Sequence, residues 1–161
     1  MQTITVQKDD FIITTDKSKL DTSVIHDFLS NHSYWSRNIP LEKVKTAFDN
    51  SLNFGLFHNS RQIGYARVIS DFSQIAYLAD VFIVEEYRGR GLSKWLMQTI
   101  MSHPNLQGLR KWVLVTKDAH ELYKKFGWQP ISSPEKWMEK VNPDFGNDSV
   151  KSIDFSSKDI L

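Results

Sequence analysis

The sequence contains no cysteine. That excludes a disulfide framework, a thiolate nucleophile and a thiolate metal site, and it fits a reducing, cytoplasmic setting. Net charge is nearly absent as well. Lys and Arg total 20 against 19 Asp and Glu, leaving +1, far from the basic field of a nucleic-acid-binding domain. No apolar run approaches the roughly 18 residues that span a bilayer, and the opening MQTITVQKDD has no apolar core of a signal peptide. His26, His32, His58, His103 and His120 show no ligand spacing, so no metal is expected. Neither nucleic acid nor membrane is expected as a partner.

What the sequence does have is one domain's worth of core: 161 residues, 40% of them hydrophobic. Strand-like runs stand at residues 10–15, 53–58 and 62–70, the last two reading as a hairpin about Asn59-Ser60. The run IAYLADVFIV within 73–84 reads as a strand buried on both faces, and 111–116 as another. Helical spacing marks 21–31, the segment after Pro40, and 91–102. Asp118 and Glu121 resemble a capping box opening a last helix that ends at Gly127. Short strands are expected at 128–131 and 136–141. The order predicts an α+β fold, with one domain over 1–141 and a polar C-terminal extension over 142–161.

Chemistry concentrates where the buried run ends. Tyr87-Arg88-Gly89-Arg90-Gly91-Leu92-Ser93 joins a strand to a helix. Its glycines allow a sharp turn and close ligand approach. The helix's first N–H groups have no internal partners, and the helix dipole makes that end attractive to anions. On these residues alone, a phosphate site and a plain connecting loop are both open readings. The P-loop ending Gly-Lys-Ser/Thr is absent.

Arg88-Gly89-Arg90-Gly91-Leu92-Ser93 resembles the R/Q-x-x-G-x-G/A motif of the GNAT family of N-acetyltransferases, with Ser93 in place of the usual Gly or Ala. A second segment, Asp118-Ala119-His120-Glu121-Leu122-Tyr123-Lys124-Lys125-Phe126-Gly127-Trp128, is similar to the family's A-x-x-L-Y-x-x-x-G-F/W stretch. The likeness is to the small bacterial type and covers about 53–141. It implies a central mixed, mostly antiparallel, splayed sheet flanked by about four helices. It also implies acetyl-CoA as acyl donor. Cofactor contacts would fall to Ile83, Val84, Arg88, Gly89, Arg90, Gly91, Leu92, Ser93, Thr116 and Ala119. Thr116 stands where the family carries an Asn against the pantetheine arm. Dimers are frequent among members.

The implied reaction is direct attack of a primary amine, on a small molecule or peptide, upon the thioester. Tyr123 resembles the general acid to the leaving thiolate; read without the motif, it is a core aromatic on the face of Ala119, Leu122 and Phe126. A backbone N–H near Ile83 or Val84 would polarise the carbonyl. Asp80, a carboxylate inside the apolar run, reads either as general base or as the partner of Arg67 on the neighbouring strand. The acceptor side falls to the loop with Tyr34, Trp35 and Arg37, and on weaker grounds to Tyr65 and Trp137. A longer acyl group, or a non-catalytic acyl-CoA-binding module on the same fold, are the alternatives.

Overall fold

The computed structural model describes residues 1–142 and Phe145. The chain divides into two units, Met1–Pro130 and Ile131–Leu161. The first carries a six-stranded sheet in sequence order: β1 (Thr5–Lys8), β2 (Phe11–Thr14), β3 (Leu52–His58), β4 (Arg61–Ser70), β5 (Ile75–Ile83) and β6 (Lys111–Val113). Every neighbouring pair is antiparallel except β5 with β6, which is parallel. With four α-helices this is the mixed, mostly antiparallel α+β architecture the sequence predicts.

Alternation along the strands builds two buried clusters. Tyr65 and Phe82 join Ile25, Phe28, Leu29, Val44 and Phe48 in one, while their chain neighbours Ala66 and Ile83 join Leu96, Met97 and Ile100 in the other. Successive side chains of a strand point to opposite faces. The first cluster therefore packs α1 (Thr22–Asp27) and α2 (Leu41–Asp49) on one face, and the second packs α3 (Leu92–Met101) on the other. Phe28 stacks on Phe82 with ring centroids 3.8 Å apart.

Asp21 caps α1 by accepting from Ser23 N–H at 2.8 Å. The helix then widens into a π turn over Phe28–His32, closed by Ser33 N–H on Phe28 O. Pro40 is the N-cap of α2 rather than its first helical residue. β1 is not among the strands expected from the sequence, and the strand expected over 111–116 ends at Val113.

In the second unit the described residues form a 3₁₀ turn at Pro134–Lys136 and no strand. The strands expected at 128–131 and 136–141 do not form. Pro130, inside the first of them, lacks the N–H that a ladder needs, and the 3₁₀ turn runs into Lys136, where the second would begin. Of the expected extension over 142–161, all but Asn142 and Phe145 lies outside the described residues.

Candidate active site

The glycine loop leads into α3 through two left-handed residues, Gly89 at φ 78° and Gly91 at φ 77°. A Cβ built on either meets nothing within 4 Å. The loop thus leaves open room on the side a ligand would approach. A ten-residue helix starts directly behind Gly91, and the N–H groups of Leu92, Ser93 and Lys94 precede the first possible i to i−4 partner. A cavity of about 360 Å³ opens here, lined by Val81, Phe82, Ile83, Tyr87, Arg88, Gly89, Gly91, Leu92, Ser93, Ala119, Leu122 and Tyr123. Arg88 folds back, its Nε donating to Ile83 O at 3.0 Å. Arg90 does not line the cavity; its guanidinium lies 5.1 Å from the Tyr87 ring centroid.

The strand beside this cavity has a free edge. β5 meets β6 only at Ile75, Ala76 and Tyr77, so among the described residues its second half has no strand on that side. Val84 N–H is committed to Ile63 O at 2.9 Å. Antiparallel ladders alternate, so the backbone groups of Phe82 face β4 and those of Ile83 face the open edge. Of the two expected carbonyl-polarising donors, only Ile83 N–H is therefore turned toward the cavity. Val84 instead lines a separate cleft of about 1140 Å³ beside α1.

A β-bulge interrupts β5 midway. Tyr65 pairs with Phe82 but Arg67 pairs with Ala79, leaving Asp80 and Val81 together opposite Ala66. Asp80 takes φ 53°, a left-handed conformation that Asp tolerates better than most residues. Its carboxylate accepts from Arg67 Nε at 2.5 Å and from Trp35 Nε1 at 3.2 Å. Pairing with Arg67, one of the two readings of Asp80, is what the structure forms. Arg67 also donates to Ser51 Oγ at 3.4 Å.

A second cavity of about 490 Å³ lies over the bulge, with Tyr34, Trp35, Arg67, Tyr77, Asp80, Thr116, Lys117, Asp118 and Tyr123 in its walls. The loop between α1 and α2 reaches across it. Tyr34 Oη accepts from Lys117 N–H at 3.1 Å and donates to Asp118 Oδ1 at 3.5 Å. The Tyr34 and Trp35 rings meet edge to face at 5.0 Å. Arg37 is exposed and lies outside this lining. Tyr65 is not a cleft residue: it is 1% exposed and its hydroxyl donates to Asn53 Oδ1. Trp137 belongs to the second unit.

Tyr123, on the short helix α4 (His120–Lys124), lines both cavities, as do Val81 and Ala119. Among the described residues its hydroxyl has no hydrogen-bond partner within the protein. Burial pushes its phenol up to about 12, and Tyr34 and the Asp118 carboxylate push the same way. Asp118 does not cap α4. The N-cap is Ala119, with no side-chain cap hydrogen bond; the Thr116 hydroxyl accepts from Ala119 N–H at 3.0 Å, and Asp118 stands in the cleft wall. No group of three or more metal-ligating side chains occurs among the described residues, and none of their helices is long and apolar enough to cross a membrane.

The acetyltransferase (GNAT) family model matches residues 22–128. The chain belongs to the GNAT acetyltransferase family. Its fold superposes with a TM-score of 0.80 on a Xanthomonas campestris protein assigned to that family, with 49% identity over 83% of this chain and 94% of the other. A Gibberella zeae protein whose name assigns it to the acetyltransferases is 28% identical over 72% of this chain and 77% of its own. An uncharacterised N-acetyltransferase of Gracilaria tenuistipitata is 35% identical over 63% of this chain and 57% of its own. For a GNAT protein the general chemistry is acetyl transfer. The glycine loop, the open edge of β5 and Tyr123 all lie inside the matched segment.

Proposed function

We propose that this protein moves an acetyl group from acetyl-CoA to a primary amine of a small molecule or peptide, by direct attack within a ternary complex. The observation that carries this reading is Tyr123 at the junction of the two cavities. One cavity runs to the glycine loop, which suits the pyrophosphate of the donor. The other runs to Tyr34 and Trp35, where an acceptor would enter. A thioester bound from the first side and an amine from the second would meet beside Tyr123.

Three needs follow from the chemistry. The carbonyl oxygen requires a donor, for which Ile83 N–H at the open edge is the candidate. The departing thiolate requires a proton, and a phenol held near 12 keeps one at neutral pH. The amine must be neutral when it attacks. Arg88, Gly89, Gly91, Leu92 and Ser93 would hold the pyrophosphate, and Thr116 and Ala119 the pantetheine arm. Tyr34 and Trp35 would flank the acceptor. Asp80, tied to Arg67 and Trp35, fits a role in holding the bulge and the acceptor loop together better than one as a free base. The lack of cysteine fits a reducing cytoplasm.

The test is thiol release from acetyl-CoA with a panel of amines, run with calorimetric titration of CoA. Turnover on one class of amine is expected, with Tyr123→Phe lowering kcat by about 10²-fold or more while CoA affinity holds. CoA binding with no turnover on any amine, or a Tyr123→Phe variant as fast as wild type, would instead make this a binding module.

A further inference from the structure

The amine's proton needs somewhere to go, and the site offers two carboxylates. Asp80 is engaged twice, by a guanidinium and by an indole N–H. Asp118 is different. It is exposed in the cleft wall, forms no ion pair among the described residues, and meets only the Tyr34 hydroxyl at 3.5 Å. Asp118 makes no cap hydrogen bond to the helix that follows it, whose N-cap is Ala119, so it has no structural task at the start of α4. It lines the same cavity as Tyr123.

Resting on the acetyl-transfer reading, we propose that Asp118 is the proton acceptor for the substrate amine, and that the acceptor arrives as an alkylammonium ion seated between the Asp118 carboxylate and the aromatic walls of Tyr34 and Trp35. An ammonium is attracted both to a carboxylate and to the faces of such rings. The proton passes from the ammonium to Asp118. The freed nitrogen lone pair forms the C–N bond to the thioester carbonyl, and the C–S bond breaks with its electron pair on sulfur. Tyr123 protonates that thiolate, and its phenolate is restored by the proton still on the acylated nitrogen. One proton remains on Asp118 and leaves to water, so the ammonium and acetyl thioester give amide, thiol and one proton. The titratable and charged groups that face Asp118 across this cleft are Tyr34, Arg67, Tyr77, Asp80, Lys117 and Tyr123.

The experiment is the pH dependence of kcat/KM for the best amine of the panel, in wild type, Asp118→Asn and Asp80→Asn. In wild type the rate should be nearly flat between neutrality and the amine's own pKa of about 10, because the bound ammonium is deprotonated in place. In Asp118→Asn the rate should fall about 10²-fold near pH 7. It should then climb about tenfold per pH unit, following the free amine in solution, with acetyl-CoA KM unchanged. Asp80→Asn should keep the flat profile. An active wild type whose profile survives Asp118→Asn overturns this inference alone, as does loss of the flat profile only in Asp80→Asn. A wild type that binds CoA and acetylates nothing overturns the acetyl-transfer reading and this one with it.

Discussion

Replacing Gly91 with alanine separates what the glycine loop does for the fold from what it does for a ligand. Gly91 is left-handed at φ 77°, and an added Cβ meets no protein atom within 4 Å. The cost to folding is thus backbone strain alone, about 1–2 kcal/mol for an L-residue in that region. In a chain of this size that lowers Tm by about 2–4 °C per kcal/mol. Gly108 offers a matched control. It too is left-handed, at φ 73°, with nothing within 4 Å of an added Cβ, but it lies beyond α3 and lines neither cavity of the site. Gly108→Ala should show a similar drop in Tm and bind CoA like wild type. In Gly91→Ala the methyl group enters the space where phosphate oxygens would meet the helix amides. Losing one charge-assisted hydrogen bond there costs about 1.5–3 kcal/mol, or about 10- to 100-fold in Kd. Calorimetric titration of CoA into both variants, beside thermal melts, decides the matter. Equal affinity in Gly91→Ala and wild type, or equal losses in both variants, would show that the loop does not cradle the pyrophosphate.

The ion pair at the bulge gives a stability prediction: Arg67→Met strands a nearly buried carboxylate on Trp35 alone and should cost about 3–5 kcal/mol in urea unfolding, while Arg67→Met with Asp80→Asn should recover much of that. Losses of the two single variants that simply add in the double variant would refute the pairing. High pH gives another. Burial raises the phenols of Tyr65 and Tyr123 above the ordinary value of 10, Tyr123 to about 12. The folded state therefore keeps protons that the unfolded state releases, and stability should be flat below about pH 10 and fall as pH rises from there through 12. Melts across that range should show the fall, and Tyr123→Phe should lessen it.

The parts of this protein legible from sequence are those governed by local pattern. The apolar run marks β5 at Ile75–Ile83, though not the burial on both faces expected of it, since Ile75 and Tyr77 are exposed; glycines at 89 and 91 mark the turn into α3, because left-handed backbone constrains residue type directly. β1 escapes the pattern because four residues with one partly buried side chain, Val6, carry too little alternation to separate from a polar terminus. Asp118 was misjudged for another reason. The Asp-x-x-Glu spacing fits a helix cap, yet α4 begins one residue later, with Ala119 as its N-cap and no side-chain cap bond. Where a short helix takes its first turn depends on backbone geometry, not spacing. Tyr34 meets Lys117 and Asp118 across more than eighty positions of chain, a contact no local pattern encodes.

The bulge explains why the candidate site lies where it does. A regular ladder continued from the Tyr65–Phe82 pair would set Arg67 directly opposite Asp80. The actual strand inserts one residue, so Asp80 and Val81 share the place opposite Ala66. Burial follows this shift: Ala76 and Leu78 are buried at alternate positions, then Phe82 and Ile83 are buried in succession. The same strand has already lost β6 at Tyr77. Between the end of that pairing and the glycine loop, β5 thus carries a re-aimed carboxylate, an unpaired edge and the Ile83 amide in one stretch, with Tyr123 set against it from α4. The glycine motif announces where a phosphate would bind. It is the inserted residue, invisible in the pattern of the run, that brings the loop between α1 and α2, through Trp35 and Asp80, to the same stretch of backbone, where the two cavities share Val81, Ala119 and Tyr123.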